Sequence, residues 1–412
     1  MWCLLLDEEE ILSLVEKIRS ELDLAKNLSD EELRQFIEDK VFVFSKERFL
    51  PAQQKIVLVD RIFYSFRGYD ILQPLLNDKT ITEIMINGVD EIFIEKNGVI
   101  SKLPMKFSSQ EKLEDIIQSI VAKVNRVVNE SMPIVDARLK DGSRVNIVLP
   151  PIALRGPTMT IRKFPENPLK VEDLIRMDAL NEEISMFLEK IVVSKYNIFI
   201  SGGTGSGKTT FLNILSNFIP ADERIVTIED SAELQINNIP NLVQLETRNA
   251  NTEGKGEITI RDLIKTSLRM RPNRIIVGEV RGAEALDMLQ AMNTGHEGSL
   301  STGHANSTLD MLSRLETMVL SGADLPVAVV RKQISSAIDI MIHLGRLRDH
   351  SRRVLEISEV IGMKEGEIQL NKLYEFVEVS QSNDGMIIGE FKTTGNKLQK
   401  LTKLLMAGYD GI

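Results

Sequence analysis

The run Gly202-Gly203-Thr204-Gly205-Ser206-Gly207-Lys208-Thr209 constrains this chain more than any other stretch. It matches G-x-x-x-x-G-K-[ST] in full. A short apolar segment, Ile198-Phe199-Ile200, precedes it, and a segment with Phe211, Leu212, Ile214 and Leu215 at helical spacing follows. Strand, glycine-rich turn and helix, in that order, are what a phosphate cradle needs. Glycines let backbone N–H groups wrap an anion, and the helix amino terminus adds a favourable dipole. Gly203, Thr204, Gly205, Ser206 and Gly207 therefore read as the cradle. Lys208 is placed to reach the β- and γ-phosphates of ATP, the Thr209 hydroxyl to ligate Mg²⁺, and Thr210 continues the segment. A glycine-rich turn that binds nothing is the alternative, and the correct context on both sides argues against it.

The expected fold class is α/β. A length of 412 residues suggests two or three domains. Residues 1–66 read as a small helical bundle, with Ile11, Leu14, Val15, Ile18 and Leu22 at helical spacing. Ser29 and Glu32 form a capping box, Leu28 and Leu33 stand at staple positions, and Pro51 can open a third helix. Residues 67–165 mix helix and strand, with hairpin signals at Asn87-Gly88, Asn97-Gly98 and Asp141-Gly142. Prolines place a linker near 164–171. From 166 to 412 helix and strand alternate as in a mainly parallel sheet, changing to short strands and turns after about 354–364 and ending in a helix-like Leu398–Met406.

ATP hydrolysis needs an acid near the γ-phosphate to orient water, and a means of holding the metal. Ile225–Ile228 delivers Glu229 and Asp230 at a strand's carboxyl end, with Glu233 a turn further on. Arg274–Val277 delivers Gly278 and Glu279 at another. In an open α/β sheet the ligand lies beyond the carboxyl ends of the strands, so both acids point to the right place. Gly278 stands where an aspartate is expected, which leaves open which acid activates water and which organises Mg²⁺. His296 and His304, each after a glycine, straddle an apparent strand; they read as hydrogen-bonding residues that relay nucleotide state, and no third ligand makes them a metal site. Arg144, Arg155, Arg162, Arg248 and Arg281 are candidates for completing the site, although a solvated surface charge is the default for any one of them. The same holds for Arg261, Lys265 and Arg269, spaced four apart along one helix face.

The stretch from Arg271 to Leu300, RPNRIIVGEVRGAEALDMLQAMNTGHEGSL, closely resembles the CpaF/TadA pilus-assembly ATPases of the type II/type IV secretion-ATPase superfamily. The likeness extends through Thr80–Gly88, Asp141–Asn146, Pro150-Pro151 and Thr160–Phe164, and covers roughly 68–360. It implies a RecA-like ATPase domain preceded by a mixed α/β, PAS-like N-terminal domain, assembled as a ring hexamer. It further implies Walker A roles for Lys208 and Thr209 and an acidic box at Glu229 and Glu233, with Glu229 orienting water. Glu279 would be the Walker B acid acting through the Mg²⁺ shell, and His296 and His304 a histidine box. Arg144, Arg155 and Arg162 fall where the N-terminal domain of such proteins reaches nucleotide. One cysteine excludes the four-cysteine zinc element of the type II secretion and pilus-extension branch, and Gly295-His-Glu-Gly-Ser departs from the retraction branch. The conjugative type IV ring ATPases remain close but usually lack such an N-terminal helical extension. The implied function is a motor for assembly, or also retraction, of a Tad/Flp-type pilus or related secretion machine. Its partners would be integral membrane proteins of the platform.

Composition narrows the rivals. A formal net charge of −10 and 5% aromatic residues argue against a stable nucleic-acid partner. The alternative that remains is a DNA-translocating or helicase-like RecA-fold motor. Nothing reads as a transmembrane helix, and the single cysteine, Cys3, fits a reducing cytosol. The expected location is cytoplasmic, peripheral to the inner face of the plasma membrane, with membrane contact only through partners.

Overall fold

A computed structural model describes residues 8–22, 28–96, 98–124, 126–139, 141–164, 168–250 and 254–410. Cys3, Asn97 and the middle of the expected linker at 165–167 lie outside the described residues. The chain divides into two compact units, 1–166 and 167–412.

In the first unit, α1 (Glu8–Glu21), α2 (Asp30–Arg48) and α3 (Ala52–Arg67) enclose their own core of Ile18, Ile37, Val41, Leu58 and Ile62. The capping box forms: Ser29 Oγ accepts the Glu32 N–H, and Glu32 Oε2 accepts the Ser29 N–H at 2.8 Å. Then follow α4 (Leu72–Asn77), β1 (Ile81–Asn87), β2 (Ile92–Lys96), β3 (Val99–Lys102), α5 (Gln110–Lys123), β4 (Ile134–Arg138), β5 (Arg144–Val148) and β6 (Thr158–Arg162). These strands form a six-stranded antiparallel sheet in the order β3-β2-β1-β6-β5-β4. Alternate residues of β1, β5 and β6 (Ile84, Ile86, Val145, Ile147, Met159, Ile161) share a core with Leu113, Ile116, Ile117 and Ile120 of α5. Asn87-Gly88 does not make a two-residue turn: β2 starts only at Ile92, and the Asn87 N–H closes the loop on the Glu91 carbonyl.

The second unit runs α6 (Val171–Arg176), α7 (Glu182–Val193), β7 (Ile198–Gly202), α8 (Lys208–Ser216), β8 (Ile225–Glu229), β9 (Leu242–Glu246), α9 (Ile260–Ser267) and β10 (Arg274–Val277). It continues with α10 (Glu284–Asn293), β11 (Leu300–His304), α11 (Thr308–Gly322), α12 (Val327–Ala337), β12 (Ile340–Arg346), β13 (Arg352–Lys364), β14 (Glu367–Gln381), β15 (Ile387–Thr393) and α13 (Thr402–Met406). One nine-stranded sheet, ordered β15-β14-β13-β12-β7-β11-β10-β8-β9, carries them all. Its run from β12 to β9 is parallel, and β13, β14 and β15 add on antiparallel. Helices α7 and α8 bury Phe187, Leu188, Ile191, Phe211 and Leu212 on one face, and α9 to α12 bury Ile264, Met288, Leu289, Leu315 and Val330 on the other. Two covered faces explain why β7, β8 and β10 are buried throughout rather than alternating.

The expectation of short strands after 354 is corrected. β13 and β14 span 13 and 15 residues and extend the same sheet. Register shifts at Ile357/Ser358 and Val360/Gly362 break their alternation, which is why the pattern reads as fragments. The helix expected over 398–406 shrinks to α13, and the segment before it is pinned by buried charge. Glu359, fully buried, accepts the N–H groups of Gln399 and Lys400, and Lys403 Nζ lies 2.9 Å from Asp339 Oδ2. The tail thus folds back on its own unit. Among the described residues, no helix is long and apolar enough to cross a membrane.

Candidate active site

Parallel strands deliver their carboxyl ends to one edge of the sheet, and four of them (β7, β8, β10 and β11) build the site. From β7 the chain enters the glycine loop. Gly205 (φ +72°) and Gly207 (φ +92°) adopt left-handed backbone that disfavours any side chain, and α8 begins at Lys208. A Cβ on Gly202 would sit 2.6 Å from the Leu344 carbonyl oxygen, so the strand's last residue must be glycine for β12 to pair beside it.

Lys208 is 8% exposed. Its Nζ donates to the Gly202 and Gly203 carbonyls at 3.1 and 3.0 Å and approaches His304 Nδ1 at 3.3 Å. Burial pushes the Lys208 ammonium down from its ordinary range, and Glu279 opposes that. An ammonium can only donate, so Nδ1 is the acceptor and the His304 proton sits on Nε2, facing Glu279. Burial likewise lowers the His304 pKa, which keeps the ring neutral at pH 7.

Glu279 follows β10. Its Oε2 accepts from Arg281 Nη2 at 2.8 Å, and Arg281 Nη1 lies 3.4 Å from Asp230 Oδ2. Arg281 so ties together the acidic ends of β8 and β10, and the bond to Glu279 raises its pKa. His304 Nε2 is 2.9 Å from Glu279 Oε1 but off the line a hydrogen bond requires. That buried oxygen has no hydrogen-bond donor among the described residues.

Glu229, 3% exposed at the end of β8, is held differently. Its Oε1 accepts the N–H groups of Glu233 and Leu234 at 2.9 and 3.1 Å, so it organises the loop after its own strand. This also explains the missing aspartate. A Cβ on Gly278 would come 3.0 Å from Glu229 Cγ. Gly278→Asp, which restores the usual pattern, is therefore expected to cost about 1–3 kcal/mol by overpacking. Native-state amide exchange in β8 and β10 of the two proteins measures it, and equal stability would mean Glu229 moves aside freely.

The other expected residues scatter. Thr209 is half-buried and Thr210 exposed on the first turn of α8. His296 is not brought to His304: it precedes β11 and His304 ends it. At ~3.3 Å per residue a strand of this length holds the two at opposite edges of the sheet. Near that far edge the Gly298 and Ser299 N–H groups donate to Asn197 Oδ1. Arg248 is exposed and donates from Nε to the Gly256 carbonyl, closing its own loop. Arg261 and Lys265 are not simply solvated, because both reach buried Asp287, at 2.8 and 3.8 Å. In the first unit Arg144 and Arg162 are direct cross-strand partners on β5 and β6, whereas Arg155 precedes β6 and lies beyond its opposite end. The three do not form one cluster. Two arginines that sequence reasoning missed, Arg346 and Arg352, lie against the glycine loop: Arg352 Nε donates to the Gly205 carbonyl at 2.9 Å. The available signal was density, four arginines within 346–353.

The chain resembles known proteins over most of its length. It is 35% identical over 309 residues to a Mycobacterium tuberculosis protein named for conjugal transfer, covering 73% of this chain and 87% of that one. The conjugal transfer protein TrbB of Rhizobium radiobacter is 33% identical over 317 residues, 76% of this chain and 93% of its own. Among solved structures, the Legionella pneumophila ATPase DotB shares the fold, with a TM-score of 0.50 and 24% identity over 69% of this chain and 78% of that one. The chain is an ATP hydrolase, with a complete Walker A sequence between β7 and α8. The family model described as "Type II/IV secretion system protein" matches residues 67–401, and the chain belongs to that family.

Proposed function

We propose that this ATPase is a ring-forming, hexameric motor that acts with integral membrane proteins of a secretion or pilus platform at the inner face of the plasma membrane. The family match over residues 67–401 supports the ring and the platform. The continuous contact chain Lys208–His304–Glu279–Arg281–Asp230, which links the phosphate loop to the ends of three neighbouring strands, supports the motor. Such a chain can register whether a phosphate sits at Lys208 and pass that state to the strand ends.

The donor set fits Mg²⁺. Thr209 offers a hydroxyl beside the loop, and buried Glu279 Oε1, which has no donor among the described residues, is free to accept from a metal-bound water. When bound, the ion would neutralise charge on the phosphates. Lys208 would exchange its loop carbonyls for phosphate oxygens. Arg281 would hold Glu279 in place with neutral His304 packed beside it, and Glu279 would orient the attacking water. Glu229, the acid first favoured for that task, is committed to the Glu233 and Leu234 amides and is better suited to fixing the loop that carries Glu233. We assign it that role. Arg144, Arg155, Arg162, Arg248 and His296 remain candidates for completing the site across a ring.

A Tad/Flp-type pilus is the proposed machine, on the residue pattern from Arg271 to Leu300. Conjugal transfer is the second reading, favoured by the names of two relatives. Loss of surface filaments in a deletion strain would support the first, and loss of plasmid transfer with filaments intact the second.

Specific activity measured against protein concentration tests the motor. It is expected to rise cooperatively as rings form, and flat activity would point to a self-contained monomer. Glu279→Gln is expected to bind ATP normally and to turn over at least about 10²-fold more slowly. Normal turnover in that variant, with loss in Glu229→Gln, would reverse the two roles.

A further inference from the structure

We infer that Arg346 and Arg352, on the β12–β13 hairpin of the same subunit, form a cationic wall of the phosphate cradle and bind the nucleotide's phosphate chain. The inference rests on the ATP site proposed above.

Register puts the hairpin there. β12 runs parallel to β7 with Leu344 opposite Gly202, so its last residues continue past the root of the glycine loop. Arg346 ends β12, Arg352 opens β13, and the two are direct cross-strand partners. Besides the bond from Arg352 Nε to the Gly205 carbonyl, the Arg352 Cδ lies 3.4 Å from where a Cβ on Gly207 would stand. Arg346 Nη1 lies 3.7 Å from the corresponding point on Gly205. The glycines at these positions therefore serve two ends, left-handed backbone and room for two guanidinium groups.

Charge accounting separates this pair from its neighbours. In the same hairpin Arg348 is paired with Glu378, and Asp349 accepts from Ser351 and Ile387. Arg353 is buried and donates to the Ile387 carbonyl. Arg346 meets His350 Nδ1 at 3.3 Å, and Arg352 meets a carbonyl. Neither has a carboxylate within ion-pair distance among the described residues, in a chain whose formal net charge is −10. Two exposed guanidiniums against the glycine loop repel one another until an anion joins them. A planar, always-charged fork suits phosphate oxygens better than an ammonium does.

Binding of ATP, inorganic tripolyphosphate and adenosine to the full chain tests this, each read by competition with a fluorescent ATP analogue. Wild type, Lys208→Ala, Arg346→Gln, Arg352→Gln and Arg352→Lys are compared. Arg346→Gln and Arg352→Gln are each expected to weaken ATP and tripolyphosphate by about 10- to 100-fold and to leave adenosine unchanged. Arg352→Lys is expected to recover part of the loss. Both side chains are exposed, so melting temperatures should stay at the wild-type value. If Arg352 only pins the loop, Arg352→Gln weakens binding while Arg346→Gln, which touches no loop backbone, matches wild type; that result overturns the inference. A wild-type protein that binds no ATP would instead overturn the underlying site. A Lys208→Ala loss beside an unchanged Arg346→Gln would sink the inference alone.

Discussion

Lys208→Ala is expected to abolish turnover, by about 10³-fold or more, while the second unit stays folded. The lysine has three donors, and two of them go to the Gly202 and Gly203 carbonyls. Those carbonyls belong to a loop whose shape is set by Gly205 and Gly207 rather than by the lysine, and Gly203 is exposed to water. Alanine therefore leaves the cradle standing but removes a buried cation from its floor. It also removes the donor that fixes the His304 tautomer, so the Nε2 proton is no longer held on the side of the ring nearer Glu279. Two losses at one position make this the largest single effect on activity. Steady-state hydrolysis above the ring-forming concentration reads it, with amide exchange in β7 and α8 confirming the fold. Appreciable residual turnover with an intact fold would mean that hydrolysis occurs elsewhere.

The glycine loop was legible because its signal is local. Strand, turn and helix lie within Ile198–Ser216, and nothing distant is needed to read them. Glu229 and Glu279 were legible as strand ends for the same reason. Their division of labour was not, because it depends on the Glu233 and Leu234 amides and on Gly278 yielding space to Glu229. The two glycine–histidine pairs looked alike in sequence. A strand between them carries one to the site and leaves the other at the far edge. The long strands β13 and β14 were hidden by bulges and by charged, half-exposed faces. Arg346 and Arg352 carry no local signal beyond the density of arginines around them, since a surface arginine is ordinarily solvated. Only the pairing of β12 with β7 brings them over the glycines. The tail's anchorage to Glu359 and Asp339 spans 40 to 64 residues of sequence, and no local pattern announces it.

At the opposite edge of the sheet, Glu223→Gln is expected to destabilise the second unit by about 3–5 kcal/mol. Arg274 is fully buried at the start of β10. Its Nε and Nη2 donate to the two oxygens of Glu223 at 2.8 and 2.7 Å, and Nη1 donates to the Val192 carbonyl at 2.6 Å. Glu223 is 6% exposed, so water cannot replace the carboxylate once it is gone. A neutral amide leaves a guanidinium buried without a counter-charge and presents an N–H₂ where the fork needs an acceptor. The reverse change costs less. In Arg274→Met, Glu223 still has Lys195 Nζ at 3.7 Å, on a side chain that is 43% exposed, to draw its charge toward solvent. The double variant Glu223→Leu with Arg274→Met is expected to lie well below the sum of the single losses, because it leaves no charge stranded. Two units preclude a single two-state melt, so native-state amide exchange in β8 and β10 is the measurement. Additive losses would show that the pair acts as two independent packing residues, and a loss under about 1 kcal/mol for Glu223→Gln would show that solvent reaches it.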